Sequence, residues 1–431
     1  MTTWYLICFL VALAVQIAFL NQFLFKLQTT IAITSGSMLI SLALILSINW
    51  LDTPLAVELK QLVAGIDFNQ FLLKGMLGFL LFAGALEIDL HALRKQKWEI
   101  GILATLSTVI STAVVGYLSY WLLGALGWPV PFIYCLLFGA LISPTDPIAV
   151  LAIIKKMRAP EGVSIQVEGE SLFNDGVGLV IFTTIYAVAF SGVEPSVGEV
   201  TKLFLVDAIG GIVFGLLLAV IGHYLILHSP DGNIRLMLTL LYPTAGFALA
   251  NILEISGALA MVASGIFIGN ITRQKSAAIE GRAPAVEVVR NFWHALDSVL
   301  NALLFLLIGL LLVTFPVTFA EIGLGLLLVP LVLFARFVSV GTPFVLFKRF
   351  RRYDINSVRI LTWGGLRGGL ALAMAAAIPG RTVSVNGVDL HNLILILTYV
   401  IVMFSILVQG STISPMVRKS IKYARRLENQ Q

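Results

Sequence analysis

Within an apolar run over residues 130–154, the sequence reads Ser143-Pro144-Thr145-Asp146-Pro147, with a carboxylate between two prolines. The next apolar run, at residues 164–190, contains Glu170-Ser171-Leu172-Phe173-Asn174-Asp175-Gly176. A charged side chain at the centre of a bilayer costs at least about 2.5 kcal/mol, so such residues are rare and usually face an ion pathway or a partner. If both runs cross a membrane, Asp146 and Asp175 predict a cation site.

The composition is that of a membrane protein. Hydrophobic residues make up 58% of the 431 residues and charged residues only 12%, against about 25% charged in soluble domains. Runs of about 20 apolar residues are long enough to cross a hydrocarbon core of about 30 Å as helices. We count thirteen such runs, at residues 4–23, 29–48, 70–88, 99–124, 130–154, 164–190, 203–227, 234–252, 256–270, 292–313, 317–346, 357–378 and 391–415. The sequence therefore predicts an all-α polytopic membrane protein.

The distribution of basic residues predicts the orientation. Thirteen helices place the two termini on opposite sides, and loops rich in Lys and Arg are expected to be cytoplasmic. One set of alternate loops holds 22 of the 28 basic residues, including a short basic tail at 418–431. The opposite set holds Lys60, Lys202 and Arg381, with Lys74 near a helix start. We expect an external N-terminus, a cytoplasmic C-terminus and a bacterial-type inner membrane, and the net charge of +5 gives no reason to expect nucleic acid binding.

Several classes of function lack a basis in the sequence. It contains no GxxxxGK[ST] phosphate loop and no CxxC or HExxH pattern, which argues against ATP-driven transport and metal hydrolysis. Cys8 and Cys135 both fall within apolar runs and predict neither a disulfide framework nor a thiolate metal site. We therefore expect a protein that is not an enzyme, needs no cofactor and draws its energy from an ion gradient.

Two of the predicted helices are interrupted in the middle. Two prolines flank Asp146 in the fifth, and Trp363-Gly364-Gly365-Leu366-Arg367-Gly368-Gly369 lies in the twelfth. Pro and Gly unwind a helix and free backbone carbonyls. If helices one to six and eight to thirteen are two inverted repeats, the broken helices take the fifth place in each. Interrupted helices at matching positions of two halves indicate a transporter site near the bilayer midplane.

Oxygen atoms around the two aspartates could bind a hard cation such as sodium. Ser171 lies one helical turn before Asp175 on the same face. The candidate ligands are Asp175, Asp146, Ser171, the Thr145 hydroxyl or carbonyl, Asn174 and carbonyls freed around Pro147. Because desolvation disfavours the charged form of a carboxylate, Asp175 could hold either a proton or a metal cation, which is sufficient for exchange. The alternative is that both aspartates only bond to the backbone.

Other polar and charged residues in the apolar runs are candidates for an ion pair or for the wall of the pathway. Glu170 is turned about 140° away from Asp175 around the helix, and a buried guanidinium needs a carboxylate. We therefore predict a structural ion pair between Glu170 and Arg367. Asp297 and Asn301, four residues apart in helix ten, could line the pathway or brace it.

In combination, the stretches at 143–147, 170–175 and 363–369 resemble the monovalent cation:proton antiporters of the NhaP and mammalian sodium/proton exchanger type, over nearly the whole chain. The resemblance implies that Asp175 is the ion-binding aspartate and that Thr145-Asp146 is the Thr-Asp motif of the unwound helix. It places the family's buried Glu and Arg pair on Glu170 and Arg367. An Asn-Asp pair such as Asn174-Asp175 accompanies electroneutral exchange in this family.

The resemblance also implies a homodimer. Core helices, at about 99–190 and 317–415, would move against dimerisation helices at about 4–88 and 203–313. One departure concerns helix three, where these antiporters often have Phe-Glu-Gly-Gly and this chain has Phe82-Ala83-Gly84-Ala85. Glu87, one turn further toward the cytoplasm, could partly replace the missing carboxylate. The alternative is that Glu87 is a solvated charge at a helix end.

These observations predict a secondary antiporter that exchanges a monovalent cation for H⁺ by alternating access, and Na⁺ is the cation that the prediction favours. A K⁺/H⁺ antiporter remains open, and Li⁺ could also be carried, because all these ions bind oxygen ligands. The rival class is a cation channel, but a channel usually builds its pore by symmetry around one axis. Here the acids and the repeat place a site within one protomer.

Overall fold

The computed structural model describes residues 3–51, 54–157, 161–190, 197–278, 283–314, 318–347, 355–380 and 383–419. Within these ranges nearly all residues are helical, and a short hairpin is the only sheet. The basic loop at 348–354, Arg381 and most of the predicted tail, at 420–431, lie outside the described residues.

The described residues up to 190 form ten α-helices. These are α1 (Thr3–Phe23), α2 (Thr29–Leu51), α3 (Pro54–Ala64), α4 (Leu77–Glu87), α5 (Leu90–Lys95), α6 (Lys97–Ile102), α7 (Thr108–Ala125), α8 (Phe132–Ile142), α9 (Ile148–Lys156) and α10 (Glu161–Phe190). A π-helical segment over Gln70–Met76 leads directly into α4, and another over Leu103–Ser107 joins α6 to α7. The predicted third and fourth helices are therefore each continuous.

The described residues from 197 onward form eleven further α-helices and the hairpin. The helices are α11 (Val197–His228), α12 (Gly232–Leu240), α13 (Phe247–Ile252), α14 (Gly257–Phe267), α15 (Arg273–Ala277), α16 (Ala283–Leu310), α17 (Phe319–Phe347), α18 (Ile355–Gly364), α19 (Gly369–Ala376), α20 (Leu390–Phe404) and α21 (Gly410–Thr412). Four other helical segments are present, of which Tyr242–Gly246, Ile268–Thr272 and Ser405–Gln409 are π-helical and Leu311–Thr314 is a 3-10 turn. The strands are β1 (Ser384–Val385) and β2 (Val388–Asp389), which pair antiparallel.

Nine helical stretches of the described residues are long and apolar enough to cross a membrane. Three of the remaining predicted runs, at 130–154, 234–252 and 357–378, are divided into shorter helices. The run at 256–270 leads into the polar helix α15. The all-α polytopic fold is confirmed, whereas the number of thirteen crossings stays a prediction.

The two predicted interruptions are confirmed. Helix α8 ends at Ile142 and α9 begins at Ile148, while α18 ends at Gly364 and α19 begins at Gly369. The two unwound segments cross each other, and the Asp146 N–H donates to the Leu366 carbonyl over 2.8 Å. Around this crossing, residues of α8, α10, α16, α17, α19 and α20 form one apolar core.

Glycines allow several helices to pack at close range. A Cβ added at Gly139 of α8 would lie 2.3 Å from the Thr112 carbonyl oxygen of α7. A Cβ at Gly215 of α11 would lie 2.3 Å from the Ala260 carbonyl oxygen of α14. Small residues at helix contacts let backbones approach closely, which is a main source of packing energy inside a membrane.

The hairpin and three short helices, α3, α5 and α15, were not anticipated from the sequence. The turn of the hairpin consists of Asn386 and Gly387, both with positive φ, as a two-residue type I′ turn requires. The Asn386 side chain donates to the Gly127 carbonyl over 2.7 Å and fixes the hairpin to the turn after α7. Strands of two residues are too short to show the alternation by which strands are recognised.

We predict that Gly215→Ala destabilises the protein by about 1–3 kcal/mol, because the new methyl group forces α11 and α14 apart. Gly341→Ala in α17 is the matched control, since a Cβ there meets nothing within 4 Å and Ala is favoured over Gly in a helix by about 0.5–1 kcal/mol. The unfolding midpoint of the purified protein in detergent should fall for the first variant and hold or rise for the second. Equal midpoints for both would contradict this account of the α11–α14 contact.

Candidate ion-binding site

The first unwound segment has lost its own helical hydrogen bonds. In a continuous helix the Ser143 carbonyl would accept from residue 147, but Pro147 has no N–H. The Pro144 carbonyl would accept from Ile148, whose N–H instead donates to Asp146 Oδ1 over 3.0 Å. The Arg367 guanidinium replaces both donors, with Nη1 2.7 Å from the Ser143 oxygen and 3.1 Å from the Pro144 oxygen.

The other backbone groups of this segment are bonded to α10 and to the second segment. Asn174 Oδ1 accepts from the Thr145 N–H over 3.2 Å. The Ser171 hydroxyl donates to the Thr145 carbonyl. The Asp146 N–H uses the Leu366 carbonyl. Such pairing is required because an unsatisfied backbone group inside a bilayer costs several kcal/mol.

The second unwound segment is stabilised in the same way. The Trp363 carbonyl, near the end of α18, accepts from Gln409 Nε2 over 2.8 Å. The Leu361 carbonyl accepts from Arg336 Nε over 3.2 Å. A Cβ at Gly365 would lie 2.7 Å from that Arg336 nitrogen. The glycines of the second segment therefore leave room for side chains that replace lost helical bonds, besides unwinding the helix.

The prediction that Glu170 forms its ion pair with Arg367 was wrong. Glu170 pairs with Arg336 of α17, whose Nη2 lies 2.7 Å from Oε1 and 2.8 Å from Oε2. Both side chains are only 2% exposed. The Arg367 guanidinium instead donates hydrogen bonds to the carbonyls of the first segment. The clue in the sequence was the position of Arg336 in the middle of an apolar run, where a guanidinium needs an acid.

Asp146 and Asp175 line one cavity of about 440 Å³. Asp146 uses Oδ1 to accept from the Ile148 N–H, and its Oδ2 lies against Gly368, where a Cβ would come within 2.4 Å. Among the described residues, no N–H or O–H donates to the Asp175 carboxylate. Asp175 is therefore free to bind a ligand, in contrast to the alternative that both aspartates only bond to the backbone.

The cavity runs between two pairs of helices. One wall is made by α9 and α10, where Glu168, Ser171 and Asp175 follow one another on a single helical face. The opposite wall is made by α4 and α16. At the end where α9 stops, Lys155 Nζ lies 3.6 Å from Glu168 Oε1, and the Lys155 side chain is 56% exposed. Asp175 lies about 10 Å from this mouth, given seven residues at the helical rise.

The other end of the cavity is filled by packed side chains. Leu141 precedes the break in α8, Val177 and Ile181 follow Asp175 in α10, and Leu372 lies in α19. All four are buried in the same apolar cluster. The cavity lining extends from the aspartates to Lys155 and includes none of these four side chains, so in this conformation the aspartates are reached from the Lys155 side.

Four of the five predicted ion ligands meet in the cavity, namely Asp146, Asp175, Thr145 and Ser171. Asn174 does not line it and is fully buried behind it. Besides accepting from Thr145, its amide donates to the Thr145 hydroxyl over 2.9 Å and to Glu170 Oε1 over 3.2 Å. The structure gives Asn174 a positioning task, because it joins α10 to the unwound segment.

The three accessory candidates, Glu87, Asp297 and Asn301, all line the cavity. Asp297 interacts with the Asn301 side chain one turn away on α16 and lies within electrostatic range of Glu87 and Asp146. Glu87 is exposed at the end of α4, whereas Ala83 is buried and does not line the cavity. The three polar groups face the two aspartates from the opposite wall.

The oxygen atoms at the crossing suit a monovalent cation. Within the described residues, no three His, Cys, Asp or Glu side chains are grouped so as to hold a metal ion. Two carboxylates together with hydroxyl and carbonyl oxygens are hard ligands, and they carry less negative charge than a group of three acids. Such a set suits a monovalent cation.

Comparison with known proteins identifies the family. Residues 29–419 match the family described as "Sodium/hydrogen exchanger, transmembrane". The chain belongs to this family. It is 41% identical over 420 residues to the Na⁺/H⁺ antiporter NhaP of Pseudomonas aeruginosa, covering 96% of both chains. It is 30% identical over 375 residues to the Na⁺/H⁺ antiporter NhaG of Bacillus atrophaeus, covering 85% of this chain and 67% of the other.

A solved structure shares the fold. The sodium proton antiporter MjNhaP1 from Methanocaldococcus jannaschii at pH 8 superposes with a TM-score of 0.75, covering 97% of this chain and 98% of the other. At 20% sequence identity, this similarity concerns the fold alone.

The corrected ion pair can be tested by double-mutant cycles. We predict that Glu170→Gln or Arg336→Gln alone costs about 3–5 kcal/mol, because each leaves a buried charge without its partner. The double variant should cost less than the sum of the two single variants. Unfolding free energies in detergent would give the coupling energy.

The matched comparison is the cycle of Glu170→Gln with Arg367→Gln. It should give a smaller coupling energy, since Arg367 bonds to the Ser143 and Pro144 carbonyls. A larger coupling for Arg367 than for Arg336 would restore the pair inferred from the sequence.

Proposed function

We propose that the protein is a secondary antiporter that exchanges Na⁺ for H⁺ across the membrane. The observation that carries this proposal is a carboxylate without a hydrogen-bond donor among the described residues, Asp175, in a cavity that is accessible from one side and lies where two unwound helices cross. Membership of the sodium/hydrogen exchanger family supports it.

The exchange follows from competition at Asp175. In the cation-bound form, Na⁺ is held by the Asp175 carboxylate, Asp146 Oδ2, the Ser171 hydroxyl oxygen and the Thr145 oxygen atoms. In the other form, a proton on Asp175 removes the negative charge on which cation binding depends. Asp146 adds a second negative charge that attracts the cation, since it lies within electrostatic range of Asp175. Only a site loaded with one or the other crosses readily, because an empty carboxylate is costly to bury.

Transport requires the packed end of the cavity to open while the mouth closes. We propose that the core helices, at about 99–190 and 317–415, move as one body against dimerisation helices at about 4–88 and 203–313 of a homodimer. The cavity wall fits this division, because α9 and α10 belong to the first group and α4 and α16 to the second. The mouth beside Lys155 then lies at the cytoplasmic face of an inner membrane, as the loop charges indicate.

The proposed stoichiometry depends on which carboxylates are free to exchange a cation for a proton. Glu170 is paired with Arg336. Asp146 Oδ1 accepts from the Ile148 N–H at the start of α9. Asn174 is uncharged, so Asp175 alone carries either one monovalent cation or one proton. We therefore propose electroneutral one-for-one exchange.

Two other functions use the same residues. K⁺ and Li⁺ also bind oxygen ligands, so a K⁺/H⁺ antiporter is the second candidate. A cation channel is disfavoured because Leu141, Val177, Ile181 and Leu372, which lie outside the cavity lining, are buried in an apolar cluster next to the aspartates in the chain.

The decisive experiment uses proteoliposomes with an imposed pH gradient and the membrane potential clamped at two values. Internal pH is followed after addition of Na⁺, K⁺ or Li⁺ for the wild type and for Asp175→Asn. We expect cation-dependent proton movement in the wild type that is independent of voltage and is abolished in the variant. Asp67→Asn is the matched control, because Asp67 is exposed and lies outside the cavity.

Each outcome has a distinct meaning. A response to K⁺ alone would replace sodium by potassium as the transported ion. Proton movement that follows the clamped voltage would contradict electroneutrality. Voltage-driven cation flux without proton movement would establish a channel instead.

A further prediction concerns Asn174→Asp, which adds a second acid beside Asp175. Asn174 donates to Glu170 and to Thr145. The carboxylate cannot donate, and it would stand next to another buried acid. We expect a loss of stability of at least about 1–3 kcal/mol from the unsatisfied acceptors, measured as unfolding free energy in detergent. A variant as stable as the wild type would show that the Asn174 amide does not join α10 to the unwound segment.

A further inference from the structure

A second pocket lies outside the ion cavity, enclosed by α11, α12, α15 and α16 beside the end of α4. Its charged and hydroxyl-bearing lining includes Arg235, Arg273, Arg290, Ser276 and Glu87. The rest of the lining is mostly apolar, with Trp293 as its largest side chain. Nothing in the exchange reaction described above uses this pocket.

The pocket lies at one face of the membrane, because its lining residues sit at helix ends. Glu87 is the last residue of α4, Ser276 is the penultimate residue of α15, and Arg235 is in the first turn of α12. Glu87 also lines the ion cavity, so both openings belong to the same face. The loop charges assign this face to the cytoplasm.

The chemistry of the lining favours an anion. Three guanidinium groups and one carboxylate line the pocket, although Arg290 also pairs with exposed Glu287 and Arg273 lies within electrostatic range of Asp89. Ser276 is only 3% exposed, and its hydroxyl oxygen has no hydrogen-bond partner among the residues that the structure describes. A buried polar group without a partner is unfavourable by about 1–3 kcal/mol. A ligand oxygen that reached this hydroxyl and the nearby arginines would remove that cost.

The position of the pocket favours a lipid over a soluble anion. Helix α11 forms one side of the pocket through Ile226, and the neighbouring Tyr224 and Leu225 are exposed, so apolar surface within the membrane lies beside the pocket. A phosphate among the arginines would have its glycerol and acyl groups next to apolar side chains such as Trp293 and Ile268. Basic pockets between transmembrane helices on the cytoplasmic side are suited to anionic headgroups, since that leaflet carries negative charge.

We propose that this pocket binds the phosphate of an anionic phospholipid from the surrounding leaflet, with Arg273 and Ser276 as ligands of the phosphate oxygens. Arg273 and Ser276 do not line the ion cavity, and the test of this proposal does not depend on transport.

The test measures phosphatidylglycerol binding to the purified full-length protein in detergent, with phosphatidylcholine and inorganic phosphate as comparison ligands. Binding is read from the shift of the thermal unfolding midpoint over a titration. Arg273→Gln is compared with Lys275→Gln, which removes the same charge two residues away on α15 from an exposed side chain outside the pocket. We expect Arg273→Gln to weaken phosphatidylglycerol binding by about tenfold, as loss of one charged hydrogen bond predicts, and Lys275→Gln to leave it near the wild-type value.

Three outcomes would overturn the proposal. Equal weakening by both substitutions would mean attraction to surface charge without a pocket. An equal midpoint shift from inorganic phosphate would identify a free-anion site, and an equal shift from phosphatidylcholine would exclude recognition of the charge. If Arg273→Gln does not fold, Ser276→Ala serves in its place, because it removes the hydroxyl and no charge. It should weaken phosphatidylglycerol binding while leaving the midpoint of the lipid-free protein unchanged or higher.

Discussion

The backbone of the crossing must find hydrogen-bond partners where there is no water, and the arrangement of the core follows from this requirement. Two unwound segments leave carbonyl and N–H groups without helical partners in the middle of the molecule. Arg367, Ser171 and Asn174 supply partners to the first segment, and Arg336 and Gln409 supply them to the second. Each guanidinium placed there brings a charge, and Glu170 neutralises one of them. The ion pair is thus a consequence of breaking the helices, since the donors chosen to replace lost N–H groups are cations.

Much of this could be predicted from the sequence because the physics of the bilayer leaves few choices. Apolar runs of sufficient length must be helices. Prolines around Asp146 and glycines around Arg367 must interrupt them. Acids in such positions must face one another or an ion path. Hence the fold class, both interruptions and the meeting of Asp146 with Asp175 followed from residue types and spacing alone.

The contacts that could not be predicted depend on which way each side chain points in the folded protein. Two buried arginines compete for Glu170, and helical periodicity fixes only that Glu170 points away from Asp175. Which arginine lies on that side is decided by how α17 packs against α18 and α7, which brings Arg336 to Glu170. The same limit applies to Asn174, which spacing places next to Asp175 but whose amide turns toward Thr145 and Glu170. The hairpin at Asn386 is too short for any periodic signal, although its Asn-Gly turn was the one local sign of it.

The free carboxylate of Asp175 has a consequence for how such proteins diversify. The residues that hold the crossing together, such as Arg367 and Asn174, bond to the chain itself, whereas the Asp175 side chain has no hydrogen bond to any residue that the structure describes. Changes in the cavity wall, for example at Asp297 or Asn301 on α16, can therefore reshape the space offered to an ion without disturbing the framework. Ion preference is open to gradual evolutionary change along one wall, while the scaffold that carries it tolerates little variation.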